Sequence, residues 1–360
     1  MKIFFAKKMT TMMMAALMVA FFSGCSQQTP ATEEQGQTSG ERAQQDGPPE
    51  GAPAAGKQKP VSSEHEQEFS VITIGTGSPA LLESRASSCT TVQYKGNYYV
   101  LDTGNGSTIR FSSNGLSLNK IQAILFTHLH LDHTSDYFDM VANRWVGGGK
   151  GLDLIGPPRT GQLHEFLTTF YIDDLNYRKI RTMERGIDDV GMFTGVTVKE
   201  ILGGDSFEID GMKVTTAEMT HTMYDIAYRF DVDGKSIVVS GDTSFDEDLI
   251  TLAKDADILV MDTSFVMELG EKVASAAFSD DSIQKPEPAY EHAGNFDVQP
   301  HPLFPDIMKI AKEANVKKIV FTHFSPLPFD EGEMRKLITD GNYGYEGEIV
   351  FSEDGMEINP

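Results

Sequence analysis

Residues 127–133 read Thr-His-Leu-His-Leu-Asp-His, so three of the chain's nine histidines and one aspartate crowd into a single short run. Imidazoles and carboxylates are the side chains that bind zinc and similar divalent ions. On a strand, residues two apart point to the same side, which lets His128 and His130 aim two imidazoles at one ion. Asp132 and His133 come just past the apolar run 121–126, in a loop that can offer an oxygen and a third nitrogen to a neighbouring ion. Four donors from one segment exceed what one tetrahedral zinc with an open position takes from a single loop. Two metal ions are therefore expected.

The elements that must position these donors are strands. An apolar run at 317–321 leads through Thr322 into His323, the run 236–240 ends on Asp242, and 217–220 ends on His221. Sites in layered α/β folds gather where loops leave the strands. The patterning predicts strands at 70–75, 89–95, 98–101, 121–126, 152–155, 197–202, 212–219, 226–232, 235–240, 257–261 and 317–321. It predicts helices near 134–144, 160–170, 246–254, 302–314 and 330–338, and no fixed-period repeat. This is an α/β chain with one large domain over 69–360.

With the downstream His, Asp and His in order, the sequence resembles the metallo-β-lactamase superfamily of dinuclear hydrolases over roughly Phe69 to Asn359. The resemblance implies an αββα sandwich of two mixed sheets flanked by helices. It puts His128, His130 and His221 on a first metal ion and Asp132, His133 and His323 on a second, bridged by Asp242. The β-lactam-cleaving members place a Cys where Asp242 stands, so a β-lactamase is not expected. Zinc is the first expectation for such a histidine-rich site, with manganese or iron as alternatives.

The chain is most similar to the ribonuclease Z and arylsulfatase-like branch. Val71-Ile-Thr-Ile-Gly-Thr-Gly-Ser-Pro79, Arg85, Leu101-Asp-Thr-Gly104 and Phe321-Thr-His-Phe-Ser325 stand in that branch's order. The branch also implies a catalytic pair of an acidic residue and a histidine, here Asp262 and His301. Asp262 is shorter than the Glu that ribonuclease Z carries there. Between His221 and Asp242 there is room for one hairpin, turning at Asp233-Gly234, and not for a tRNA-binding arm. A formal net charge of −23 without a basic patch repels a phosphate backbone. Neither transfer-RNA processing nor any nucleic-acid partner is expected.

The long insert 134–200 is expected to shape the substrate pocket. Trp145, Phe170, Tyr171 and Tyr177 could wall an aromatic group, and Arg144, Arg159, Arg178 and Arg181 could bind an anion. His164 is expected to be exposed, and His292 lies in a Pro-rich loop that could reach the site mouth.

At the N-terminus, Lys2, Lys7 and Lys8 precede an apolar stretch over 9–22, then Ser23-Gly24-Cys25. This reads as a secretory signal too short to span a membrane. Cys25 stands where bacterial lipoprotein signals place the acylated cysteine, so residues 1–25 are expected to be a signal peptide ending at the lipidation Cys; plain secretion is the alternative. Residues 26–68 are rich in Gln, Glu, Pro, Gly, Ala and Ser and cannot bury enough apolar surface to fold. They read as a disordered acidic linker tethering the domain outside the cytoplasm. Cys89 is the only other cysteine, so no internal disulfide is expected.

The expected activity is metal-assisted hydrolysis of a small anionic phosphate or sulfate ester. Asp132 and Asp242 would hold a metal-bridging hydroxide, and His301 would protonate the leaving oxygen. Lactone or thioester hydrolysis, or a metal-containing binding lipoprotein without activity, are the alternatives. A redox di-iron protein of the same fold would carry Glu in place of His130.

Overall fold

The computed structural model describes residues 69–186, 195–263, 300–324, 331–341 and 343–360. Cys25, the segments 1–25 and 26–68, and His292 lie outside the described residues. Among the described residues, fourteen strands form two sheets. The first contains β1 (Ser70–Gly75), β2 (Cys89–Tyr94), β3 (Asn97–Leu101), β4 (Ile121–Leu125), β5 (Leu152–Gly156), β6 (Val196–Glu200) and β14 (Met356–Ile358), in the order β14-β1-β2-β3-β4-β5-β6. The second contains β7 (Ser206–Ile209), β8 (Met212–Met219), β9 (Asp225–Val232), β10 (Lys235–Val239), β11 (Ile258–Asp262), β12 (Lys318–Thr322) and β13 (Glu348–Phe351), in the order β13-β12-β11-β10-β9-β8-β7.

Each sheet is half antiparallel and half parallel. In the first, β1 to β3 are antiparallel neighbours, whereas β3 to β6 run parallel. In the second, β7 to β10 are antiparallel and β10 to β13 parallel. The β9–β10 hairpin turns at Asp233 and Gly234, both at positive φ, which suits a tight turn of this kind.

Alternation along the strands builds the layers. On β10, Ile237 and Val239 face the layer between the sheets, and Val238 faces the outer side. The inner core joins Val71, Tyr99 and Leu125 of the first sheet to Tyr228, Ile237 and Val320 of the second. Outside the second sheet pack α6 (Glu247–Leu252) and α7 (Phe304–Glu313), through Leu249, Ile307 and Ile310. Outside the first pack α1 (Ser107–Ser113) and α3 (Tyr137–Val146), through Phe111, Met140 and Trp145. This is the expected αββα sandwich, with α2 (Leu131–Thr134), α4 (Thr160–Phe170), α5 (Ile172–Glu184) and α8 (Glu331–Gly341) as further helices.

The predicted strands all form, within a residue or two. Sequence reading missed β7, β13, β14, α1, α2 and α5; Asp132 and His133, expected in a loop, stand on the one-turn helix α2. The three strands are three or four residues long and β14 sits at a sheet edge, so their apolar alternation is too brief to register. α5 carries one buried residue, Leu175, and so lacks an amphipathic stripe facing the core.

Two bonds stitch the sheets together beside the first metal motif: Ile226 N–H donates to Thr127 O at 3.0 Å and Tyr228 Oη–H to Phe126 O at 2.7 Å. The second is fully buried. Tyr228→Phe removes that donor and is expected to cost about 1–3 kcal/mol, read as a lower denaturant midpoint at unchanged m-value. A midpoint equal to the parent's would show that the bond contributes nothing.

Candidate metal centre

The ligand-type residues converge at one edge of the sandwich, where both sheets send out loops. His128 to His133 follow β4, His221 follows β8, Asp242 follows β10, and His323 follows β12. All seven residues expected as ligands come together. His128 Nε2 lies 2.9 Å from His130 Nδ1, and His221 Nε2 lies 3.2 Å from the same atom. Asp242 Oδ2 is 3.8 Å from His128 Nε2 and 3.9 Å from His221 Nε2. On its other side the same oxygen is 3.4 Å from His133 Nε2 and 3.5 Å from His323 Nε2. Asp132 Oδ2 completes the second group, 3.2 Å from His323 Nε2 and 3.7 Å from His133 Nε2.

The donor set fits two divalent ions. At zinc–nitrogen distances of about 2.0–2.1 Å, tetrahedral ligands stand about 3.3 Å apart, the middle of the range found in both groups. His133 Nε2 is buried and has no hydrogen-bond partner, a costly arrangement that an ion would relieve. His128, His130, His221 and Asp242 could hold one ion, and Asp132, His133 and His323, with Asp242 shared, the other.

Behind these donors stand acceptors that sequence reading did not assign. His128 Nδ1 donates to Asp225 Oδ2 at 2.7 Å, His133 Nδ1 to Asp102 Oδ2 at 2.9 Å, and His221 Nδ1 to Pro300 O at 2.7 Å. Such bonds fix the tautomer and leave Nε2 to face the ion. Asp225 Oδ2 also accepts the Asp242 N–H at 3.1 Å, so one carboxylate sets a histidine and the shared aspartate. Gly241 lets it approach: its φ is +65°, and a Cβ there would collide with Asp225 Oδ1. Asp102 receives the Thr127 N–H and Oγ1–H as well, both at 2.9 Å. Asp102 was visible within the Leu101-Asp-Thr-Gly104 signature. Asp225 had only a weak signal, an acidic residue opening a buried strand.

Asp262 and His301 also meet. Although Asp262 is the shorter acid, its Oδ2 is 2.7 Å from His301 Nδ1, and its Oδ1 is 3.3 Å from His323 Nδ1. Asp262 and His301 lie within ligand range of Asp242 and His323, but both Asp262 oxygens are turned onto imidazole nitrogens. That makes Asp262 an orienting group. The His301 ring stands between those of His221 and His323, with centroids 5.6 and 5.4 Å away.

Charge divides the centre. Burial, with His221 adding to it, pushes His130 down to about 4, and burial lowers His128. Burial opposes a charge on His323 too, yet Asp242, Asp132 and Asp262 push it up to about 10. Asp242 is buried, and the neighbouring imidazoles, led by His323 and His133, hold it well below the usual carboxylate range.

The insert residues part company. Trp145 is buried in the outer core instead of walling a pocket, because α3 turns it inward. Arg144 is buried and donates to the carbonyls of Ile121, Lys150 and Gly151. Arg178 pairs with Asp174 and Arg181 with Glu184 along exposed α5. Arg159 is exposed at the start of α4 with φ +80°. Phe170, Tyr171 and Tyr177 are exposed. His164 is half-buried rather than exposed, its Nδ1 2.8 Å from Tyr137 Oη. Cys89 is buried, and burial raises its thiol pKa well above the ordinary value, as befits a packing residue. Among the described residues no helix is long and apolar enough to cross a membrane.

Residues 97–324 match the family model of the beta-lactamase superfamily domain. A ribonuclease Z of Mycobacterium sp. (strain KMS) is 29% identical over 297 residues, covering 81% of this chain and 96% of the relative. A ribonuclease Z of Mycobacterium avium (strain 104) is 32% identical over 196 residues, covering 53% and 68%. The metallo-beta-lactamase fold protein YhfI from Bacillus subtilis has the same fold, with a TM-score of 0.59 at 16% identity over 81% of this chain and 98% of that one.

These relatives overturn the expectation that nucleic acid is no partner. Proteins named for acting on RNA align with this chain over nearly their whole length at 29% identity, so that exclusion does not stand. The charge argument failed because net charge is a sum over the whole surface, while screening confines each exposed charge to about 8–10 Å. Two divalent ions would also offset the carboxylates gathered at this edge.

Elemental analysis of the metal-supplemented protein is expected to find close to two equivalents; under half an equivalent would exclude a dinuclear centre. Asp225→Asn, which weakens the acceptor behind His128, is expected to lower metal affinity about 10–100-fold, measured by competition with a chelator. Unchanged affinity would leave Asp225 a packing residue only.

Proposed function

The chain belongs to the beta-lactamase superfamily, and on that premise we propose that this metal-dependent hydrolase cleaves phosphodiesters at a two-metal centre. The observation that carries the reading is the single oxygen, Asp242 Oδ2, placed between two separate groups of donors. His128, His130 and His221 would hold one ion and Asp132, His133 and His323 the other, with Asp242 shared. Ribonuclease Z relatives support a phosphodiester in preference to a sulfate ester, lactone or thioester, and RNA is among the phosphodiesters considered.

Bound divalent ions supply Lewis acidity toward the phosphoryl oxygens and a lowered pKa for water at the site. Asp132 and Asp242 orient the attacking water. His301 is the general acid. Its Nδ1 is committed to Asp262 at 2.7 Å, which leaves Nε2 to hand a proton to the leaving oxygen. Burial works against a charged His301, and the Asp262 carboxylate outweighs it, raising the imidazole above its ordinary value.

His301→Ala is expected to lower turnover of a phosphodiester with a poor leaving group by about 10²–10⁴-fold while metal content stays at the parent's level. The loss should shrink for a good leaving group, which needs little protonation. Loss of metal, or full activity on the poor leaving group, would remove His301 from this role.

The proposed location is extracytoplasmic, with Cys25 as the lipid-bearing residue behind the 26–68 tether. Cys25→Ser should move the protein from the detergent phase to the aqueous phase with specific activity intact; unchanged partitioning would mean that something else anchors it.

A further inference from the structure

The metal motif contains two leucines with opposite fates. Leu129 is partly buried and packs on the core outside the first sheet. Leu131, between the ligands His130 and Asp132, is 78% exposed. Two other side chains are nearly as bare: Leu81 at 77% and Ile109 at 72%. These are the three most exposed large apolar residues among the described residues, and they come from three segments that all border the metal centre.

The loop bearing Leu81 touches the strand end of His323: Phe324 N–H donates to Thr76 O at 2.8 Å, and Gly77 bridges to Phe324. The segment bearing Ile109 is tied to the metal loop by Thr103 N–H to His133 O at 2.7 Å and Thr108 N–H to Asp136 Oδ2 at 3.0 Å. A Cβ on Gly104 would collide with the Asp132 carbonyl, so this backbone lies directly against the ligand segment. The two outer segments are tied to each other by Arg110 Nη2 donating to Glu83 O at 2.6 Å. Leu81, Ile109 and Leu131 are therefore carried by three mutually tied segments at the edge that holds the ligands.

Packing does not explain these three side chains, because none of them is buried by the fold. Leu131 stands in the chain between the ligands His130 and Asp132, which places it on the ligand segment itself. We propose that the three side chains form one apolar lip and that this lip is the specificity element of the site, binding an apolar substituent, a ring or an alkyl chain, on the non-leaving side of the phosphodiester. The inference rests on the phosphodiesterase reading above. The lip is aliphatic and uncharged, so it selects through the area it removes from water rather than through hydrogen bonds.

Two esters with one leaving group test this: bis(4-nitrophenyl) phosphate and methyl 4-nitrophenyl phosphate. They differ in the spectator group, an aryl ring or a methyl. The readout is the ratio of their kcat/KM values, compared between parent and variant so that intrinsic reactivity cancels. Burying a leucine-sized surface is worth roughly tenfold or more. Leu131→Ser is expected to lower the aryl-over-methyl ratio about tenfold at parent metal content, Ile109→Ser to lower it by a smaller factor, and Leu131→Met to retain it. Leu131→Ser and Ile109→Ser both keeping the parent ratio would overturn the proposal and leave the phosphodiesterase reading standing. Hydrolysis of neither ester by the metal-loaded parent would overturn that reading and this inference with it.

Discussion

Oδ2 of Asp242 lies between 3.4 and 3.9 Å from the Nε2 atoms of four histidines, His128, His133, His221 and His323. A buried carboxylate is costly unless compensated, and so is a set of imidazoles with their lone pairs turned on one another. Each problem is the remedy for the other once cations sit between them. The edge of the sandwich is arranged around this constraint. His133 Nε2, buried without a hydrogen-bond partner, marks where compensation is still owed by an ion.

Holding those donors in register falls to groups that never face the substrate. Asp102, Asp225 and the Pro300 carbonyl each accept a hydrogen bond from an Nδ1–H, and Asp262 divides its oxygens between His301 and His323. The backbone bears strain at the same places. Asp102 and His323 have φ of +61° and +58°, at the ends of β3 and β12. Positive φ is uncommon for residues other than glycine, and here it turns a side chain from the strand direction into the centre. Such strain persists where surrounding bonds over-determine it, as the three bonds to Asp102 do.

Fold and centre are coupled through the inter-sheet layer. Tyr228 and Ile226 of the second sheet bond to Phe126 and Thr127, which follow β4 of the first, two and one residues before His128. The distance between the two halves of the ligand set is thus fixed by the same contacts that close the core. Asp262 reaches His301 although it is shorter than the Glu of similar proteins, because it is set by the parallel pairing of β11 with β12, where Asp262 stands opposite Thr322, next to His323.

The amino-acid sequence by itself determined the ligand types, their order and the strand ends that carry them, because these depend on local period and on short spacings within one strand. His128 and His130 share a side by the two-residue repeat of a strand, and the apolar runs before Asp242 and His323 could only be buried strands. Tertiary structure alone decided which carboxylate stands behind which imidazole: Asp102 and His133 are far apart in the chain, as are Asp225 and His128, and nothing local links them. It also decided that Trp145 and Arg144 pack inward while Leu131 faces solvent between two ligands. The physical reason is that spacing along one element sets the direction of a side chain relative to its neighbours, whereas what that side chain meets depends on how separate elements are laid against each other.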